Sequence, residues 1–312
     1  MCYKEFLNEV SRRVEENLKE IFPEISLERQ TVFKNNVNYQ TIRVSTPSGN
    51  PFGDNAQRCE ELLYLLTEEE FAKQGVSIND VPEYVDSLCE RYVRGLKENP
   101  LNTLNLQQLL DPSMLRLGIV CKSDNNTSML QHVIKREYLD MYVYCEFSYS
   151  LANKDRLSIK VPVNFFGKLA MTESEIFEQA CRNTLDDGYT IKPMSSIINR
   201  FVLENEIEEM EFPKMDPETE LYVITNAHNF QGATALFFPE VFKPLSCKLD
   251  SDLFILPSSI HECIAVRADL FDKENLLEMV ISVNESMVAK EDILTNNVYF
   301  YKRAENSIKL IE

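Results

Sequence analysis

Apolar residues at Leu7, Val10, Val14, Leu18 and Ile21 recur every three or four positions, with charged residues between them. That spacing predicts an amphipathic helix over residues 3–21, stopped before Pro23. The period then drops to two. ISLERQTVF and VNYQTIRVST alternate around Asn35-Asn36, which predicts a hairpin turning on asparagines that tolerate positive φ. After the loop SGNPFGDN, Cys59, Leu62, Leu63 and Leu66 start a second helical stripe, with Gly75 ending it or a short successor helix. Val81, Val85, Leu88, Tyr92 and Leu96 give a third, with Pro82 in its first turn, where a missing N–H costs nothing.

The middle of the chain opens with LRLGIVCK, a strand, followed by a turn at NNT. YLDMYVYCEFSYS and RLSIKVPVNF read as paired strands around Ala152-Asn153-Lys154-Asp155. Thr172 and Glu175 form a T-x-x-E capping box ahead of a helix to about Asp186. Beyond residue 220 the order is strand LYVIT, helix ATALFFPEVFKPLSCKL, strand LFILP, strand ECIAVRA, helix KENLLEMVISVNESM and strand NVYFYKR. This β-α-β-β-α-β succession predicts a ferredoxin-like order, with Leu221, Val223, Leu253, Ile255, Ile264, Val266, Leu277, Val280 and Val298 in its core. Pro239 and Pro244 predict that its first helix is broken or short. The expected fold class is α+β: an N-terminal α+β domain over 1–203, a linker over 204–216 and the β-α-β-β-α-β unit over 217–312.

Charge sharpens that division. The 312 residues carry a net charge of -18, and residues 204–220, ENEIEEMEFPKMDPETE, hold 8 acidic side chains against 1 basic. Such a surface disfavours a phosphate backbone, which needs clustered Lys and Arg. It suits a basic protein partner, and it also serves simply to keep a protein dissolved. Glu204, Glu206, Glu208, Glu209 and Glu211 are the candidate contacts. The charged opening MCYKEFLNEV is no signal peptide, and no apolar run is long enough for a membrane span. Eight scattered cysteines without a CxxC pair point to a reduced cytoplasm and to neither zinc nor redox chemistry. No cofactor is expected.

Two stretches offer candidate chemistry. ILPSSIHECIAV gathers Ser258, Ser259, His261, Glu262 and Cys263. On a strand starting at His261, that histidine and Cys263 would share a face but sit about 6.6 Å apart, beyond the reach of a nucleophile–base pair. Serving the polar groups of a turn is the simpler use, and no nucleophile elbow or Gly-rich oxyanion loop accompanies the cluster. In TNAHNFQGAT, where His228 also lies, Asn229, Gln231 and Gly232 precede a helix whose N-terminus would suit an anion, although Gly232 reads first as a turn residue. No two of the three histidines have metal-ligand spacing, and Asp186-Asp187-Gly188 resembles a fragment of a calcium loop without its other ligands.

The phrases LYVITNAHNFQGATALFFPEVF, SDLFILPSSIHECIAV and LTNNVYFYKR, with KREYLDMYVYCEFSYS and TESEIFEQACRNT, resemble an uncharacterised bacterial family, a domain of unknown function common in gut Firmicutes. The likeness covers most of the chain from about residue 115, and the segment around NPFGDNAQRCE departs from it. A more distant likeness is to the YtpQ-like proteins. The resemblance implies a cytosolic α+β protein, supplies no catalytic residues, and, because members travel with mobile elements, implies interaction or inhibition. The first expectation is therefore a non-catalytic acidic protein that binds a basic partner, such as an inhibitor of a nuclease or defence complex whose carboxylates stand in for phosphates. The alternatives are a hydrolase built on Ser259, His261 and Cys263, and a small-anion sensor at 226–233.

Overall fold

The first helical stripe forms α1 (Tyr3–Ile21), whose buried face is Phe6, Leu7, Val10, Val14 and Leu18. In the computed structural model, described over residues 1–46, 59–98, 110–150, 156–165, 169–204 and 219–311, the chain divides into two units, Met1–Leu109 and Leu110–Glu312.

In the first unit α1 shares a core with α3 (Val81–Glu98) and with one face of a sheet of β1 (Ser26–Lys34), β2 (Val37–Thr46) and β3 (Cys59–Tyr64). Asn36, at φ 58°, makes the β1–β2 turn. The helix expected from Cys59 is instead β3, pairing antiparallel with β2 so that Leu63 faces Ile42. The reason lies in burial: Leu63 and Leu65 point inward while Leu62 is exposed, a period of two that a short leucine-rich run conceals. Helix α2 (Glu68–Gln74) starts only at Thr67, whose hydroxyl accepts from the Glu70 amide, and Gly75 closes it at φ 63°.

The second unit holds two sheets. In one, the long strand β6 (Met141–Ser150) has β4 (Leu115–Cys121) on one side. On the other it has β5 (Lys135–Tyr138) along its first half and β7 (Arg156–Lys160) along its second. The expected NNT turn is part of a short helix, α4 (Asp124–Met129), and YLDMYV turns between β5 and β6 at Leu139, φ 52°. The expected turn at 152–155 lies outside the described residues. Helix α5 (Glu173–Asp186) packs on β4 and β6. Its N-terminus carries the capping box, with Thr172 Oγ1 accepting from Glu175 N at 3.3 Å and Glu175 accepting from Thr172 N at 2.7 Å.

The other sheet has six strands, all antiparallel, in the order β13-β12-β10-β11-β9-β8. These are β8 (Tyr189–Pro193), β9 (Tyr222–Asn226), β10 (Leu253–Leu256), β11 (Cys263–Arg267), β12 (Tyr299–Lys302) and β13 (Ser307–Leu310). The four expected strands are present, and β10 and β11 form the expected hairpin. The ferredoxin-like order is not found. The segment between β9 and β10 is no crossover helix: it is a 3-10 run Gly232–Phe237, a second at Pro239–Val241, and the seven-residue α7 (Lys243–Leu249), broken where Pro239 and Pro244 cannot donate. Strand β8, unread in the sequence, lies outside β9. Helix α6 (Met194–Glu204) follows β8, so the division expected at 204–216 falls inside the second unit. Helix α8 (Lys273–Ser286) covers the sheet through Leu276 and Val280, against Leu256, Val266 and Val298; Leu221, Ile264 and Leu277 are only partly buried at its margin.

Candidate functional site

Strand β6 is buried at nine of its ten positions, and one of these is a carboxyl, Glu146, 1% exposed. Strand register sets its surroundings. Glu146 pairs with Arg116 on β4 and with Lys160 on β7, and Ser148 pairs with Ser158. Directly paired residues share a face of the sheet, so a row of charge crosses it from Arg116 through Glu146 to Lys160.

The loop after β9 closes over this row. Asn226 folds the loop onto itself: its Oδ1 accepts from the amides of His228 (3.0 Å) and Phe230 (3.3 Å), and its Nδ2 donates to the Phe230 carbonyl at 2.6 Å. Asn229 and Gln231 both take left-handed backbone, at φ 50° and 54°. Gln231 is thereby turned back towards β4, where its Oε1 accepts the Ile119 amide at 3.0 Å. Thr184 of α5 accepts the neighbouring Leu117 amide at 2.9 Å, so side chains from two other segments satisfy the outer edge of β4. Gly232 is needed here for close approach and not for a turn: a Cβ would fall 2.3 Å from the His261 carbonyl oxygen and 2.4 Å from Thr225 Oγ1.

The enclosed cleft is lined by Arg116, Glu146, Ser148, Arg156, Asp187 and His228, among others, and holds about 10 Å³, the room of one water molecule. Its two guanidiniums are satisfied differently. Arg116 is consumed: Nε and Nη2 donate to Asp187 at 2.6 and 3.0 Å, and Nη1 donates to the carbonyls of Ser113 and Leu115. Asp187, once suggestive of a calcium loop, is thus an arginine's partner at the end of α5. Among the described residues Arg156 hydrogen-bonds to no carboxylate, although Asp187 and Glu146 act on it at longer range. Its Nε and Nη2 both donate to the Ser148 hydroxyl, at 3.2 and 2.9 Å, and its guanidinium carbon lies 5.9 Å from the centre of the Phe230 ring. Burial disfavours its charge.

Burial also pushes the Glu146 carboxyl up to about 7, against the opposing pull of Lys160, and its Oε2 is without a hydrogen-bond partner. His228 Nε2 lies 3.7 Å from Asp187. Burial and the nearby arginines hold its imidazole below the usual range, so the pair is not an ion pair at neutral pH. With the Glu146 carboxyl held up near neutrality and Asp187 taken by Arg116, the cleft retains a positive centre on Arg156 wherever Glu146 is protonated.

The polar stretch 258–263 lies behind this loop. Strand β11 begins at Cys263, so His261 sits in the connection and not on the strand. His261 Nδ1 accepts the Gln231 amide at 3.2 Å; the neutral ring then carries its proton on Nε2, 3.3 Å from Asp292. Ser259 accepts from the His261 amide at 3.0 Å and the Phe230 ring packs at 5.4 Å from His261. Cys263 is wholly buried and its thiol is pushed far above the ordinary range, which removes it as a nucleophile. Ser258 and Glu262 are partly buried. The N-terminus at Gly232 is largely occupied: the Gln231 amide donates to His261 Nδ1, the Ala233 amide to the Ile260 carbonyl and the Thr234 amide to that of Gln231.

Of the acidic candidates, Glu206, Glu208, Glu209 and Glu211 lie outside the described residues, and Glu204 ends α6. Among the described residues no group of three or more His, Cys, Asp or Glu is placed to hold a metal ion, and no helix is long and apolar enough to cross a membrane. Sequence reasoning reached the 226–231 loop, read Asp187 only as a calcium-loop fragment, and missed Arg116, Glu146, Ser148 and Arg156. One signal was available: a lone carboxylate inside MYVYCEFSYS, a strand apolar on both faces, has to find unusual company.

Fold and site together define an α+β protein with a nearly closed, arginine-anchored cleft between a four-stranded and a six-stranded antiparallel sheet. The chain belongs to a family of unknown function (DUF5688), whose model matches residues 3–303. No curated protein and no solved structure matches it.

Proposed function

We propose that the Leu110–Glu312 unit binds a small oxyanion, a carboxylate or phosphate group, in the cleft beneath the 226–231 loop. The observation that supports this is Arg156, a partly buried guanidinium whose hydrogen bonds go to a hydroxyl. Arginine's planar fork suits such groups, and an unneutralised buried cation gains most from acquiring one. The anion enters by displacing the half-exposed His228 side chain, since the closed cleft has room only for a water. Sulfate is the simplest probe. A ligand at a hundred times its Kd stabilises the folded state by roughly 2.7 kcal/mol, but sulfate also stabilises proteins without binding them. The comparison is therefore between wild type and Arg156→Gln. Thermal stabilisation in the wild type that falls to the non-specific background in the variant supports the reading; equal stabilisation of both defeats it.

The charge distribution supports a second reading, in which Glu204, Glu206, Glu208, Glu209 and Glu211 engage a basic protein, with nucleic-acid mimicry by a mobile-element-encoded inhibitor as its sharpest form. Residues 204–220 carry 8 acids against 1 base. Exposed charges act through a field screened over about 8 Å at physiological salt, so such a complex forms more slowly as salt rises. Replacing the five glutamates by glutamine should weaken it and flatten that salt dependence. Retention of no basic protein at low salt leaves the segment as a solvated surface.

A further inference from the structure

We propose that the cleft takes up a proton together with its anion, with Glu146 Oε2 as the seat of the proton and the neutral carboxyl donating its O–H to an oxygen of the ligand. This rests on the reading of Arg156 as an anion anchor and adds the condition under which the anchor works. The geometry comes first. Glu146 is 1% exposed, lines the cleft, and its Oε2 has no hydrogen-bond partner. An unpaired buried oxygen is costly, and a ligand that pairs with it removes that cost. The charged and titratable groups around it come from five elements. Arg116 on β4 is already spent on Asp187 of α5. Tyr144 stands on the same strand, and Lys160 and Arg156 stand on β7. His228 comes from the loop above.

An anion seated on Arg156 brings a further negative charge into this group. An ionised Glu146 would then face both the ligand and Asp187 across a poorly solvated gap, and like charges held so close favour protonation of one of them. The proton comes from solvent and lands on Oε2. It replaces a repulsion by an O–H···O hydrogen bond, so the protonated site binds the anion and the ionised site rejects it. Burial already holds the carboxyl up at about 7 before any ligand arrives, which places the change within reach of ordinary buffers. The ligand class is thus an oxyanion presenting an acceptor oxygen to Glu146 while another oxygen meets the Arg156 fork.

Sulfate is again the probe, because it has no proton of its own to exchange near neutral pH. Its affinity for the full chain would be measured by calorimetry from about pH 5.5 to about pH 8.5. Linkage predicts about a tenfold weakening per pH unit above the Glu146 midpoint. Glu146→Gln should bind sulfate without that slope, because the amide donates without taking up a proton. His228→Asn should keep the slope, which separates Glu146 from the other titrating group in the cleft. In buffers of differing ionisation enthalpy at about pH 8, where the free Glu146 carboxyl is ionised, wild type and His228→Asn should take up close to one proton per sulfate, falling towards none at about pH 5.5, and Glu146→Gln none at either. A slope that survives in Glu146→Gln, or vanishes in His228→Asn, overturns the proposal. Wild-type binding that is independent of pH overturns the proton coupling and leaves the anion reading standing. No Arg156-dependent binding at any pH overturns both. Should Glu146→Gln fail to fold, the proton count on wild type and His228→Asn decides alone.

Discussion

Glu146 makes the folded protein sensitive to pH even without a ligand. Its carboxyl is raised from an ordinary 4.5 to about 7 by burial. Below pH 4.5 it is protonated in both the folded and the unfolded chain. As pH rises, the unfolded chain releases the proton first, and stability is lost progressively until the folded carboxyl ionises near 7, above which the penalty is constant. A shift of that size is on the order of 3 kcal/mol. Glu146→Gln should therefore be more stable than wild type at pH 8 by up to that amount and indistinguishable from it near pH 4. Urea unfolding at the two pH values measures the difference, and equal stabilities at pH 8 would mean that burial does not raise the carboxyl above its ordinary range. Gly232 carries a second prediction. Gly232→Ala places a methyl against the His261 carbonyl and Thr225 Oγ1, and backbone cannot yield as a flexible side chain can. The cost should be about 2 kcal/mol or more, visible as a lowered thermal midpoint. The sequence shows a glycine after NFQ and suggests a turn. That the residue is needed for space depends on a carbonyl nearly thirty residues away, which no local pattern carries.

At the level of elements, strand β4 depends on side chains that are not in its own sheet. Thr184 and Gln231 take the Leu117 and Ile119 amides, and Asn183 Nδ2 donates to the Leu115 carbonyl. Thr184 is 3% exposed, so Thr184→Val keeps the shape and leaves a buried amide unpaired. The expected loss is about 1–3 kcal/mol, with faster hydrogen exchange confined to Leu117 and its neighbours; exchange that rises evenly along the unit would argue against a local edge cap. Elements legible in the chain are those with one dominant period, such as α1, the β1–β2 hairpin and the capped α5. Strand β3 was hidden because CEELLYLL satisfies two periods at once. The helix read over 233–249 is broken and short, as Pro239 and Pro244 predict. The candidate site was half legible for a related reason: the 226–231 loop is contiguous, whereas Arg116, Glu146 and Arg156 come together only through the register of three strands.

On the scale of the whole molecule, each of the two units has hydrophobic clusters of its own, and the cleft is built entirely from the second. Residues 110–312 expressed alone should unfold in one cooperative transition and respond to sulfate as the full chain does; a molten fragment, with helical and sheet signal but no cooperative melt, would show that the second unit needs the first. The capped edge of β4 has a consequence for the life of the protein in a crowded solution. A bare strand edge is a template on which another chain can add, and a row of such additions becomes a fibre. Here the template is withdrawn as long as α5 and the 226–231 loop stay in place. Self-templating through this strand is therefore reserved for molecules that have already lost both, so at any given concentration the tendency to form fibres by this route is set by how often that corner opens.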